Sequence, residues 1–134
     1  MIVVDTNIIA SMTFPTRHSP PVQALHERNP VWEAPLLWKS EFLNVISLYY
    51  RKKLIGYEDA LNALTFAERL IGSREHMVPS KAVVEAIIRS TRPAYSCEFV
   101  VLAEQLGTRL VTYDKKLIEE FPELAITPEA YLKP

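Results

Sequence analysis

The sequence predicts an α/β fold: a central, mostly parallel sheet flanked by helices, formed by a single domain over residues 1–134. Three observations carry this expectation. Short, continuous β-branched runs alternate with longer stretches of helical spacing, and the connections between them are short. The length of 134 residues suits one domain, since domains typically run to ~100–150 residues. No shift in composition marks a linker, and no segment repeats at a fixed period.

Taken in order, Ile2-Val3-Val4 reads as a strand covered on both faces, which delivers Asp5-Thr6-Asn7 at its C-terminal tip. Ser19 reads as a cap before Pro20-Pro21, opening a helix through Val22, Leu25 and His26 that stops near Asn29-Pro30. Val31 to Ala34 is a short strand. Pro35 opens the clearest helix, with Leu37, Phe42, Val45, Ile46 and Tyr49 near one face. Arg51-Lys52-Lys53 and Gly56 are its stop signals. A further amphipathic helix covers Asp59 to Ile71 and ends at Gly72. Met77-Val78-Pro79 is a brief strand, and Ser80 caps a helix carrying Val83, Val84, Ile87 and Ile88. The next helix runs from Tyr95 to Leu106 and closes at Gly107. Leu110-Val111-Thr112 is a second buried strand, Asp114-Lys115-Lys116-Leu117 starts another helix, and Ala125-Ile126 forms a last short strand.

Composition narrows the function classes. The chain is 49% hydrophobic and 23% charged, with a net charge of −1, which is ordinary for a globular domain and unlike a disordered one. That charge excludes a strongly basic body as the source of affinity for a polyanion, while leaving room for a local basic stripe. A single cysteine, Cys97, excludes an intramolecular disulfide and a cysteine-based zinc site, and its apolar surroundings mark it as a core thiol. The apolar runs are far shorter than the ~20 residues that span a bilayer, and the N-terminus lacks a basic n-region, so no membrane association and a cytoplasmic location are expected.

In an open α/β sheet, ligands bind beyond the carboxyl ends of the strands. Asp5 and Asp114 both fall at such ends, and both are also placed to cap a following helix. Glu41 lies in the helical row Trp38, Glu41, Phe42, Val45, Leu48 and Tyr49, which sets its carboxylate against or beside apolar surface. A buried carboxylate is costly unless it is paired or coordinates a metal. Three converging carboxylates with no histidine or cysteine partner describe a hard oxygen site, suited to Mg²⁺ or Mn²⁺ rather than zinc. Thr6 and Thr112 add hydroxyls beside the first and last acids, and Asn7 can orient a carboxylate or simply hold its turn.

These residues carry a resemblance. Val3-Val4-Asp5-Thr6-Asn7-Ile8-Ile9 resembles the opening of a PIN domain. Lys39-Ser40-Glu41-Phe42-Leu43-Asn44-Val45, Ala94-Tyr95-Ser96-Cys97-Glu98-Phe99-Val100 and Leu110-Val111-Thr112-Tyr113-Asp114-Lys115-Lys116-Leu117 match its later motifs in order and spacing. The resemblance spans nearly the whole chain, and size and motifs together are similar to the VapC-type toxins, ribonucleases of toxin–antitoxin pairs. It implies a PIN-like single domain and a Mg²⁺- or Mn²⁺-dependent endoribonuclease that hydrolyses RNA phosphodiester bonds. It also implies a homodimer and a cognate antitoxin protein. Carried over by motif, Asp5, Glu41 and Asp114 are the catalytic and metal-binding acids, with Thr112 as the hydroxyl near the last of them.

The sequence departs from the family at Ser96, where an aspartate usually follows the tyrosine. A serine hydroxyl is a poorer ligand for a hard dication and removes one negative charge, although it suits a helix N-cap. Glu98 is the candidate substitute acid: two residues along a formed helix it points ~200° away from Ser96, so it reaches only if its turn is not yet helical. The departure sustains a second reading, a weakened or inactive PIN domain that binds RNA or a protein partner without cutting. An aspartate-phosphorylating or haloacid-type domain, the third reading, wants further acids at Thr6 or Asn7 that are not there. For nucleic acid, Lys115 and Lys116 beside Asp114 are the best-placed basic residues, although they, like Arg17-His18 and Arg51-Lys52-Lys53, also read as a solvated helix end.

Overall fold

The computed structural model describes the chain from Met1 to Pro134. Five strands form its sheet: β1 (Ile2–Val4), β2 (Trp32–Pro35), β3 (Glu75–His76), β4 (Leu110–Val111) and β5 (Ala125–Ile126). The flanking helices are α1 (Thr6–Thr13), α2 (Ser19–Arg28), α3 (Trp38–Arg51), α4 (Tyr57–Ile71), α5 (Ser80–Ile88), α6 (Ala94–Leu106), α7 (Lys115–Glu120) and α8 (Pro128–Leu132). The α/β expectation therefore holds, with a sheet that is wholly parallel in the order β3-β2-β1-β4-β5.

Burial explains why the strands read as continuous apolar runs. Ile2, Val3, Val4, Leu110 and Val111 are all sealed from solvent, as parallel strands covered by helices must be. The core between sheet and helices is filled by Trp32, Trp38, Phe42, Phe99, Leu102 and Leu117. Helix α6 packs on β1, β2 and β4 and buries Cys97, Phe99, Val100, Val101, Leu102 and Ala103, so Cys97 is the core thiol its context implied. Burying apolar surface at about 25 cal/mol per Å² makes this packing the main stabilising contribution.

The topology fixes where a ligand can enter. From β1 the chain winds outward through β2 to β3, then returns to add β4 on the opposite side of β1. Strand order reverses between β1 and β4, and the crevice outside the carboxyl ends of such a pair is the natural binding position. The register pairs Val4 with Val111, so Asp5 and Thr112 emerge side by side.

Several local expectations need correction. The third strand is Glu75–His76 rather than Met77-Val78-Pro79, and Met77 is 83% exposed. Polar contacts, not apolar pattern, set that edge register: Arg74 and His76 reach the buried Glu33 at 3.5 and 2.9 Å, and the Trp38 indole donates to Glu75. Pro35 ends β2 instead of opening α3. Ser19 and Ser80 lie inside their helices; Ser19 Oγ instead donates to the carbonyls of Ser11 and Phe14 at the end of α1. Gly56 caps the start of α4, its N–H held by Asp59, while the left-handed residue that closes α3 is Lys53 (φ 60°). Leu48 is 46% exposed rather than on the apolar face. Helix α8 went unforeseen, although Thr127 caps it and Pro128 opens it. No helix is long and apolar enough to cross a membrane.

Candidate active site

Asp5 ends β1 and caps α1. Its extended backbone (φ −72°, ψ 160°) lets Oδ1 accept from the Thr6 N–H at 2.8 Å. The other oxygen, Oδ2, accepts from the Thr112 hydroxyl at 2.6 Å and from Asn7 Nδ2 at 3.4 Å. Thr112 is fully buried and serves two acids at once, because its Oγ1 also accepts from the Asp114 N–H at 2.9 Å. Asn7 Oδ1 completes the turn by accepting from the Tyr113 N–H at 3.3 Å.

Asp114 caps α7, with Oδ1 accepting from the Lys116 and Leu117 N–H groups. Its Oδ2 lies 3.1 Å from Arg92 Nε and 3.0 Å from Arg92 Nη2. Glu41 enters from α3, where Oε1 accepts from the Thr6 hydroxyl at 2.7 Å. Thr6 thus joins two acids, its amide holding Asp5 and its hydroxyl holding Glu41. All three acids line one open cleft of about 540 Å³, together with Thr6, Asn7, Ser96 and Arg92.

The electrostatics follow from this crowding. Burial pushes the Asp5 carboxyl up, and the Asp114 charge adds to the effect; hydrogen bonds from Thr112 and Thr6, with the Arg92 charge, oppose it. Burial likewise raises Glu41, with the charges of Asp5 and Glu98 adding and the Thr6 hydrogen bond opposing. Negative charge is thus concentrated beyond what the cleft's own cation balances.

The donor set fits a hard dication in kind. The cleft presents carboxylate and hydroxyl oxygens and no thiolate or imidazole. As the side chains stand, no three His, Cys, Asp or Glu groups close around a common point. Arg92 takes up an oxygen of Asp114, and Thr6 lies between Asp5 and Glu41 in the hydrogen-bond network.

The other expected residues divide. Ser96 lines the cleft, but as the third residue of α6 rather than its cap, which is Pro93. Because the helix has begun at Ala94, Glu98 is not among the residues lining the cleft; its charge only reaches Glu41. Lys115 and Lys116 have exposed side chains and are absent from the cleft lining. Six lining residues were not among the expected site residues: Leu37, Ser40, Asn44, Val45, Tyr95 and Arg92, of which only Arg92 lies outside every motif and helical face read from the sequence. Asn44 stands three residues after Glu41, a spacing that places both on one helical face and could have flagged it. Arg92 sits in the α5–α6 loop and offered no periodic signal.

Glu41 gives a first prediction. A carboxyl raised in the fold stabilises below its unfolded value, and that contribution is lost as pH rises towards the folded value. Glu41→Gln keeps the acceptor for Thr6 and removes the charge. In metal-free buffer it should raise Tm at pH 7 by roughly 2–4 °C, about 0.5–1 kcal/mol after solvent screening. The gain should shrink at about pH 4.5, near the ordinary glutamate value. Thermal melts at both pH values check this, and an equal gain at both would show that charge is not the cause.

The chain is similar in fold to a chain of the crystal structure of FitAcB from Neisseria gonorrhoeae. The TM-score is 0.74, with 15% identity over 96% of this chain and 99% of that one. The PIN-like α/β architecture implied by the sequence resemblance is the fold this chain adopts. No protein-family model matches the sequence, and comparison with curated proteins finds no match.

Proposed function

We propose that the chain is a Mg²⁺- or Mn²⁺-dependent endoribonuclease, the toxin of a toxin–antitoxin pair. The observation that carries this reading is the convergence of Asp5, Glu41 and Asp114, from three separate elements, on one cleft at the β1/β4 reversal. In this reading those three residues hold the ion. When bound, it stabilises charge on the phosphate and lowers the pKa of water.

The chain's own residues prepare the site. Thr112 keeps Asp5 and Asp114 in fixed relation, and its hydroxyl favours the ionised form of Asp5. Thr6 does the same for Glu41. Because these hydrogen bonds are already made in the free protein, little reorganisation remains when the charges are used. The PIN-like resemblance extends the reading to a homodimer and a cognate antitoxin. Exposed apolar residues such as Met77, Val84 and Ile88 are surface that a protein partner can cover. A cytoplasmic site of action belongs to the same proposal.

One observation favours the second reading, a weakened or inactive PIN domain that binds RNA or protein. The cleft holds Ser96 in place of a further acid, and one of its three acids is already paired with Arg92. Induced expression in a bacterial host separates the two. A toxin should arrest growth, and Glu41→Gln should relieve the arrest at equal protein level. Unimpaired growth with well-expressed native chain would favour the second reading.

A further inference from the structure

Arg92 is the only cation among the twelve residues lining the cleft. A polyanion entering a space edged by Asp5, Glu41 and Asp114 needs a positive group there, and the exposed lysines at the start of α7 lie outside the lining. The guanidinium is partly open to solvent, with the side chain 30% exposed. It meets Asp114 through a single oxygen, since Nε and Nη2 both address Oδ2 while Oδ1 is committed to two backbone N–H groups of α7. This is not the two-oxygen fork that arginine makes with its strongest partners, and Nη1 has no protein acceptor.

The loop that carries Arg92 is held at backbone level. Glu120, the last residue of α7, accepts from Ser90 Oγ at 2.6 Å, from the Thr91 N–H at 2.8 Å and from Thr91 Oγ1 at 2.6 Å. Ser90 Oγ in turn accepts from the Arg92 N–H at 2.9 Å. The loop is thereby fastened to both ends of α7, through Glu120 at one end and Asp114 at the other. This brace holds the Arg92 backbone beside the cleft, and the side chain reaches across to Asp114.

We propose that Arg92 is the phosphate-binding residue of the cleft, with Asp114 as its counter-ion while no nucleic acid is bound. The inference rests on the reading of the cleft as an RNA site. On binding, the guanidinium exchanges one carboxylate oxygen for two phosphate oxygens, a geometry it satisfies better.

Binding of a short, fluorescently labelled single-stranded RNA in EDTA tests this by anisotropy across a salt series, so that cleavage plays no part. Arg92→Gln should weaken binding roughly ten-fold and reduce the slope of log K against log salt by about 0.7, the loss of one phosphate contact. Arg92→Lys should keep the native slope with intermediate affinity, because a point charge remains without the fork. The decisive variant is Arg92→Gln combined with Asp114→Asn, which restores the native net charge. It should remain weak and keep the reduced slope. Native affinity and slope in that double variant, or in Arg92→Gln alone, would overturn the proposal and leave Arg92 as a neutraliser of Asp114. Failure of the folded native chain to bind RNA at low salt, both in EDTA and with Ca²⁺ supplied as the divalent ion, would instead overturn the RNA reading of the cleft, and this inference with it.

Discussion

Replacing Thr112 with valine should destabilise the protein by about 2–3 kcal/mol, a fall in Tm of roughly 8–15 °C. Valine matches threonine in shape, so packing is kept and the loss falls on hydrogen bonds. Thr112 is fully buried, donates to Asp5 Oδ2 at 2.6 Å and accepts from the Asp114 N–H at 2.9 Å. Without it, a half-buried carboxylate oxygen keeps only the long contact to Asn7, and a backbone N–H loses its acceptor. Each orphaned group costs about 1–3 kcal/mol. The same hydroxyl holds the Asp5 carboxyl down against burial, so the variant should also need a higher pH to ionise Asp5. Thr112→Ser should recover most of the stability. Denaturant melts of the three proteins check this, and a Thr112→Val loss below about 0.5 kcal/mol would mean the hydroxyl does not tie the two acids together.

Ser96→Asp should tighten Mn²⁺ binding by at least about ten-fold, equivalent to roughly 1.4 kcal/mol. Ser96 occupies the third position of α6 and lines the cleft with Asp5 and Arg92. A carboxylate there adds a hard oxygen ligand and negative charge. The first turn of a helix tolerates that charge, because its free N–H groups and dipole favour anions by about 0.3–1 kcal/mol. The variant should therefore fold as stably as the native chain in spite of the acids nearby. Calorimetric titration with Mn²⁺ reads the change. Unaltered affinity in the folded variant would place the ion away from Ser96 and remove the significance attached to the serine.

The strand tips were legible because two different constraints agree on them. Ile2-Val3-Val4 and Leu110-Val111 must be apolar to sit between layers, so the first polar residue after each marks where the chain leaves the core. Asp5 and Thr112 stand at those exits, and parallel register sets them together. Glu41 was legible for a related reason: helical spacing puts it on one face with Trp38 and Val45, and a carboxylate so placed calls for a partner, which proves to be the Thr6 hydroxyl. The edge strand was misplaced because its register depends on Glu33, Arg74 and His76, polar residues that carry no alternation. Ser80 and Ser19 were misread because capping propensity is local, whereas Ser19 answers to carbonyls at the end of α1. Arg92 was invisible for a deeper reason. Its position follows from Glu120 thirty residues after Ser90, a tertiary tie that no window of sequence contains. The fold and the acids are thus written in periodicity and burial, while the cleft's cation is written in long-range hydrogen bonding.

The central claim is that this cleft cuts RNA with a divalent ion held by its acids. Its most direct test is incubation of a labelled RNA pool with the purified chain in Mn²⁺ or Mg²⁺, in EDTA, and with Asp5→Asn in place of the native protein. Asparagine keeps an oxygen for the Thr6 N–H, so the cap of α1 survives while the carboxylate is lost. The account predicts cleavage by the native chain with metal, none in EDTA, and a loss of at least about a hundred-fold in Asp5→Asn. Cleavage that persists in EDTA, or that Asp5→Asn performs at the native rate, would contradict it.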